Sequence, residues 1–156
     1  MRPLYIFDLD GTLALIEHRL HFIQGSKKDW RGFFGAVGDD KPNLPVIRTL
    51  QALRKAGAEA WIWSGRSDEC KAQTVEWLKR NGCWFDFGFG MPAPERFRMR
   101  KAGDRRDDVV VKREWLNEIE PPEWARLTAV FDDRARVVQM WRDAGVPCFQ
   151  VAPGEF

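Results

Sequence analysis

A chain of 156 residues with 44% hydrophobic and 31% charged content is long enough for one domain with a sizeable core, and would leave two domains thin. Its 25 Lys plus Arg against 23 Asp plus Glu give a net charge of +2, too little to argue nucleic-acid binding from bulk charge. Cys70, Cys83 and Cys148 form no CxxC or Cys/His metal spacing and are odd in number, which argues against a disulfide framework and fits a reduced, cytoplasmic setting; without a signal-peptide pattern or a run of roughly 18 apolar residues, a soluble, unprocessed protein is expected.

The first predicted element is the strand "PLYIFDLD" over 3–10. Side chains alternate along a strand, so Leu4, Ile6 and Leu9 are expected to pack inward, and the chain is released between Asp8 and Gly11. Turn chemistry explains Gly11 and one aspartate but not both Asp8 and Asp10. Residues 15–43 then carry Phe22, Trp30, Phe33 and Phe34, which predict one or two short helices packed on the sheet rim. Val46, Ile47, Leu50 and Leu53 recur at helical spacing up to a stop at Gly57, and "AEAWIWS" over 58–64 reads as the second long strand. Ser67 is the expected N-cap of a helix with Val75 and Leu78 on its apolar stripe and Gly82 as terminator.

Further on, Arg96, Arg98 and Arg100 alternate with Phe97 and Met99, and Lys101, Arg105 and Arg106 extend the charge. On a strand this gives one basic face, suited either to tracking a nucleic-acid backbone or to protecting an exposed sheet edge. A helix over 107–119, a strand over 126–133, a helix over 134–145 and a last strand over 146–152 complete the pattern. Strands alternating with helices of this length mean βαβ units on a parallel sheet.

Ligands of such sheets sit at the carboxyl ends of the strands. That rule places Asp8 and Asp10, then Ser64, Gly65 and Arg66, then Asp132 and Asp133 on one rim. Several acids on one rim repel unless they share a cation, and hard oxygen ligands suit Mg²⁺ together with a substrate phosphate. Asp8, Asp10 and one of Asp132 and Asp133 are therefore expected to hold Mg²⁺; Thr12, Ser64 and the amides near Gly11 and Gly65 are expected to bind phosphoryl oxygens, with a lysine balancing the remaining charge. A metal-bound Asp8 stays ionised as a nucleophile, while Asp10, its pKa raised by neighbouring negative charge, shuttles a proton. Asp133 is also placed to cap the helix from Arg134. His18 and His21 have no metal-like spacing and are expected to be structural.

"DLDGTLA" (8–14), "WSGR" (63–66), Lys112 and "FDDR" (131–134), in that order, resemble motifs I to IV of the haloacid dehalogenase superfamily. Within it the chain resembles the 3′-phosphatase domain of the phage polynucleotide kinase/phosphatase type, the resemblance being densest from about Gly103 through "GDRRDDVV" to "DDRARVVQMWRDAGVPCFQVAPGEF". The resemblance implies an α/β, Rossmann-like fold with a central parallel sheet, one domain over 1–156, and a small cap over 15–43 inserted after the first strand. It makes Asp8 the nucleophile of an aspartyl-phosphate intermediate and Asp10 the general acid and base. Asp8, Asp132 and the backbone carbonyl of Asp10 would hold Mg²⁺, with Asp133 coordinating through water or orienting its neighbours. Ser64 and Lys112 would hold the transferring group, and Arg19, eleven residues after Asp8, and Arg66 would bind phosphate. "DDVVVKREW" is one valine longer before the lysine than the phage pattern, so helix phase decides whether Lys112 reaches the rim.

The implied function is Mg²⁺-dependent removal of 3′-phosphates from DNA or RNA ends, linked to a kinase and a ligase. No GxxxxGK[ST] occurs, so a phosphatase without a kinase domain is expected. A nucleotidase or small-molecule phosphatase of the same superfamily is the alternative. A non-catalytic module that binds phosphorylated ends is a third reading, disfavoured because binding phosphate requires no nucleophile. A cap of this length leaves the cleft open, which suits a polymer end. Most of the eight tryptophans, Trp61, Trp63, Trp77, Trp115 and Trp141 among them, fall at core positions, so stacking on bases is left mainly to Trp30 or Trp84.

Overall fold

The first strand, β1 (Leu4–Phe7), buries Leu4 and Ile6 toward one face of a sheet and Phe7 toward the other. Burial on both faces is the signature of an interior parallel strand rather than of the half-buried alternation expected from sequence. The structure is a computed structural model that describes residues 1–84 and 93–154. After β1 come a short antiparallel pair, β2 (Ala14–Leu15) and β3 (Lys41–Pro42), then β4 (Glu59–Ser67), β5 (Phe97–Arg100), β6 (Leu127–Asp132) and β7 (Cys148–Gln150). The main sheet has the order β5-β4-β1-β6-β7, and every pairing in it is parallel.

Six α-helices complete the described structure: α1 (Trp30–Gly35), α2 (Leu44–Lys55), α3 (Lys71–Arg80), α4 (Asp108–Asn117), α5 (Pro121–Arg126) and α6 (Ala135–Asp143). α4 and α6 cover one face, where Trp115, Val137 and Trp141 pack on Leu4, Ile6, Trp61 and Trp63. α2 and α3 cover the other, where Leu50, Trp77 and Leu78 pack on Phe7, Ala60 and Ile62. None of the described helices is long and apolar enough to cross a membrane.

Two local differences from the sequence reading have identifiable causes. β4 runs on to Ser67, beyond the expected end at 64, because its pairing with β5 slips between Ser64 and Ser67; Ser64, Gly65 and Arg66 thus lie within an irregular strand end, a common device beside active sites. α5 is an additional helix whose start, Pro121 and Pro122, reads as loop until proline's preference for the first helical turn is considered. The cap is built from 3-10 turns at Glu17–Phe22 and Val37–Asp39 with only α1 between them. Residues 155–156 of the similar carboxyl end lie outside the described residues.

Arg96 pairs with Glu59 at 3.1 Å, and Arg98 pairs with Glu118 while its guanidinium lies 5.1 Å from the Trp63 ring. Arg100 donates to the Gly65 carbonyl at 2.9 Å and to Asp108 at 3.0 Å. The alternating arginines of β5 are therefore spent within the fold and do not form a backbone-tracking face. Trp84 packs edge-on against Phe97 at 5.1 Å.

Trp141 is fully buried, with its ring 5.8 Å from that of Trp63. Trp141→Ala is expected to destabilise the fold by about 3–5 kcal/mol, read as a lowered urea midpoint at unchanged slope.

Candidate active site

The site begins where β1 ends. The Asp8 amide donates to the Phe131 carbonyl at 2.9 Å, which ties the end of β1 to β6; the amides of Thr12, Leu13 and Ala14 then fold back onto the Leu9 carbonyl. Gly11 holds φ +81°, and a Cβ there would lie 2.0 Å from Oδ2 of Asp133. Glycine is thus required twice over, for its backbone conformation and for the close approach of the two acidic loops.

Lys112 rises from the middle of α4, and its phase brings Nζ to Oδ1 of Asp8 at 2.7 Å and Oδ2 of Asp132 at 2.8 Å, with Asp108 one turn earlier at 3.6 Å. The other Asp8 oxygen accepts the Thr12 hydroxyl at 3.1 Å. One ammonium thus faces several carboxylates. Asp8, Asp132 and Asp133 each turn an oxygen into a group spanning no more than 4.8 Å. Burial pushes the Asp8 carboxyl well above the usual carboxylate range; Lys112 opposes the shift, and Asp132 and Asp133 add to it. Burial and Asp132 push Asp133 up to about 6. Burial alone would lower Lys112, but Asp132 and Asp8 outweigh it and hold its pKa well above normal. A surplus of negative charge on an all-oxygen donor set is the environment that accepts a hard divalent cation.

Asp10 stands in a different field. Its Oδ1 accepts Nη2 of Arg19 and Nε of Arg66, both at 2.7 Å. Behind it, Asp40 binds Nε of Arg19 at 2.7 Å and Nη2 of Arg66 at 2.6 Å, His18 at 2.7 Å, and the Trp77 indole through its backbone carbonyl. Burial would raise Asp10, but Arg66 and Arg19 outweigh it and hold the carboxyl below its ordinary value. This corrects the expectation of a raised Asp10 pKa and the placement of its carboxylate among the metal ligands. Two guanidiniums claim it, and the acidic group consists of Asp8, Asp132 and Asp133.

A cleft of about 830 Å³ opens over these residues, lined among others by Asp8, Asp10, Gly65, Arg66, Asp132 and Asp133. Thr12, Arg19, Ser64 and Lys112 lie behind its wall, each at most 1% exposed. Four assignments change accordingly. Thr12 donates to Asp8 rather than to a phosphate; Ser64 keeps its assignment, since its hydroxyl oxygen accepts the Arg66 amide at 3.2 Å and its O–H can still donate. Arg19 is a buttress, and Arg66, although it meets the cleft, has all its terminal groups engaged by Asp10, Asp40 and Thr74. Asp133 is not the cap of α6, since the Arg134 amide bonds to Asp132.

Two residues of the site escaped sequence reading. Asp40 sits in "GDDKPN" with no motif spacing, and only a search for the anion that two buried arginines require would find it. Asp108 carried a usable signal, being four residues before Lys112 on the same helix face.

The family of polynucleotide kinase PNKP phosphatase domains matches residues 2–156. The chain belongs to this family. As a PNKP-type phosphatase domain it is similar to a viral protein of Autographa californica nuclear polyhedrosis virus, named for a bifunctional polynucleotide kinase/RNA ligase: 30% identity over 141 residues, covering 90% of this chain and 18% of that protein. It is also similar to a solved structure of the Pnkp1/Rnl/Hen1 RNA repair complex, with 30% identity and a TM-score of 0.79 over 99% of this chain and 44% of the other. The domain thus spans less than half the length of these relatives. The class C acid phosphatase of Bacillus anthracis, with 15% identity and a TM-score of 0.65 over 99% of this chain and 67% of that one, shares the fold.

Asp40 is the shared anion of two guanidiniums whose side chains are fully buried. Asp40→Ala leaves both short of countercharge, and a loss of about 3–5 kcal/mol is expected, measured by chemical denaturation against Asp39→Ala as the neighbouring control.

Proposed function

We propose that this protein is a Mg²⁺-dependent phosphomonoesterase that removes 3′-phosphates from DNA or RNA ends, working through a phosphoryl group carried on Asp8. The observation that carries the reading is the contrast between two carboxylates at the end of one strand: Asp8 in contact with Lys112 beside the acidic group, and Asp10 gripped by two arginines at the mouth of the same cleft. The family supports a phosphatase, and the RNA repair assembly among its structural relatives supports a role in preparing ends for sealing, alongside a kinase and a ligase.

Asp8 attacks phosphorus, the bond to the 3′ oxygen breaks, and that oxygen takes its proton from Asp10. Water then attacks the aspartyl phosphate and gives a proton back to Asp10, releasing inorganic phosphate and restoring both carboxyls. Asp10 is ionised in the empty site; a phosphate dianion entering the cleft raises its proton affinity by like-charge repulsion, and it takes up one proton from solvent before the attack. Its two arginines hold it in one orientation through both half-reactions. Lys112 balances Asp8 and Asp132, and the Thr12 hydroxyl fixes the Asp8 rotamer.

Asp8, Asp132, Asp133 and the backbone carbonyl of Asp10 would hold Mg²⁺. When bound, the ion neutralises phosphoryl charge and keeps Asp8 ionised. The donor set fits: it is all oxygen, compact and over-charged.

Two outcomes test this. Asp8→Asn should lower turnover of p-nitrophenyl phosphate with Mg²⁺ by roughly 10³-fold or more. The wild type should prefer a 3′-phosphorylated oligonucleotide over the 5′-phosphorylated one and over a 3′-mononucleotide; equal rates on all three would sink the polymer-end reading.

A third outcome concerns pH. With Asp133 at about 6 in the folded state against 3.8 for an ordinary aspartate, the metal-free native protein binds more protons than the unfolded chain in that interval, so its stability falls as pH rises through it. Mg²⁺ needs the deprotonated carboxylate, so the rise in Tm on adding Mg²⁺ should be larger at about pH 7.5 than at about pH 5. An equal rise at both would place the ion elsewhere.

A further inference from the structure

Trp30 is the first residue of α1 in the cap, 48% exposed, and its side chain lines the cleft that contains Asp8 and Asp10. A lone exposed aromatic is ordinary on a protein surface. This one is braced. Its ring is stacked on Phe34 at 6.0 Å with an interplanar angle of 24°, and it meets Phe33 edge-on at 5.8 Å. Phe33 is itself fixed from below by the Arg19 guanidinium, 4.2 Å from its centroid. The indole is therefore a rigid plate held out from the same buttress that holds Asp10.

The second observation comes from a distant part of the chain. The loop after β5 contributes Lys101 and Arg105 to the same cleft, both exposed and both without a carboxylate partner among the described residues. Arg106 differs, since Asp104 and Glu114 neutralise it. On the cap side Lys28 is exposed and pairs with no carboxylate among the described residues, with Nζ 5.7 Å from the Trp30 ring. Three uncompensated cations and one rigid aromatic plate around a single opening match single-stranded nucleic acid, in which each unit presents a flat π-face and a phosphodiester charge. A free mononucleotide or a small phosphate ester would use the plate at most and would leave the cations unmatched.

From this we infer that Trp30 is the stacking platform for an unpaired terminal base of a 3′-phosphorylated strand, and that Lys101 and Arg105 hold the phosphodiester on the 5′ side of that terminal nucleotide. The inference rests on the proposed 3′-phosphatase reading and adds what selects the substrate: a single-stranded end, recognised by its base and by its second phosphate. A base held in a duplex is already stacked and paired, so a blunt end must fray to use the platform. Any base serves, because every base has a π-face.

The test compares Trp30→Ala and Trp30→Phe with the wild type on three substrates: p-nitrophenyl phosphate, a short single-stranded 3′-phosphorylated oligonucleotide, and the same oligonucleotide with an abasic final unit. Each kcat/KM is expressed relative to that for p-nitrophenyl phosphate, which cancels a general loss of folded enzyme. Trp30→Ala should lower the ratio for the intact oligonucleotide by roughly 5- to 100-fold, mainly through KM. It should leave the ratio for the abasic substrate where it was, and Trp30→Phe should restore most of the loss. In parallel, Lys101→Ala and Arg105→Ala should each flatten the dependence of log kcat/KM on log salt for the oligonucleotide, by about 0.7 per lost contact.

An intact and an abasic oligonucleotide that respond equally to Trp30→Ala would overturn the stacking role, while efficient wild-type turnover of the oligonucleotide would leave the 3′-phosphatase reading standing. A wild type that hydrolyses p-nitrophenyl phosphate but no 3′-phosphorylated strand would remove that reading, and the platform with it.

Discussion

Everything at the rim depends on how one buried ammonium divides its charge. Lys112 touches Asp8 and Asp132 at hydrogen-bonding distance and is 1% exposed. Burying a cation is tolerable only with anions in contact, and here the anions outnumber it. The excess is not a defect of packing. It leaves a compact oxygen cluster with unmet electrostatic demand at the carboxyl ends of β1 and β6, the donor set that the proposed divalent ion would occupy.

The neighbouring carboxylate is handled in the reverse way. Asp10 is two residues from Asp8, yet paired guanidiniums hold its pKa below normal while burial drives that of Asp8 above it. Environments that push two titratable groups apart mark a division of roles. The separation originates in β1 itself: the chain leaves the sheet after Asp8 and turns through Gly11, so the two side chains face different neighbours. Asp8 meets α4 and β6, whereas Asp10 meets the cap and the irregular end of β4.

Sequence reading reached the parallel α/β sheet and the strand-end position of the acids, because each rests on local signals: apolar runs of strand or helix length, stop glycines, and acids at strand ends. It failed where a role depends on a partner distant in the chain. Arg19 and Arg66 look like phosphate ligands as long as phosphate is the only visible anion near them. Asp40, reached only through folding of the cap, claims both and turns them into supports for Asp10. The same holds for Arg96, Arg98 and Arg100, whose period-two spacing correctly gave a strand but whose charge is consumed by Glu59, Glu118 and Asp108. Spacing reveals which face a side chain takes, not whether its charge is already spent.

The cap is therefore more than a cover. Residues Arg19 and Asp40, both from the insertion, form half of the ion-pair group that orients Asp10, and Trp77 of α3 is tied to the Asp40 carbonyl. Lifting such a cap would part Arg19 from Asp10 and Arg66 from Asp40, leaving each arginine one of its two carboxylates; breaking buried ion pairs in this way costs several kcal/mol, which argues against a lid that swings with each turnover. On the proposed reading, selectivity then comes from a fixed rim, in which the arrangement of Phe33, Phe34 and Trp30 above Arg19 sets the shape of the opening at the same time as the ion pairs beneath set the orientation of Asp10. A substrate that fits this opening is presented to a site already assembled, and one that does not gains nothing from waiting.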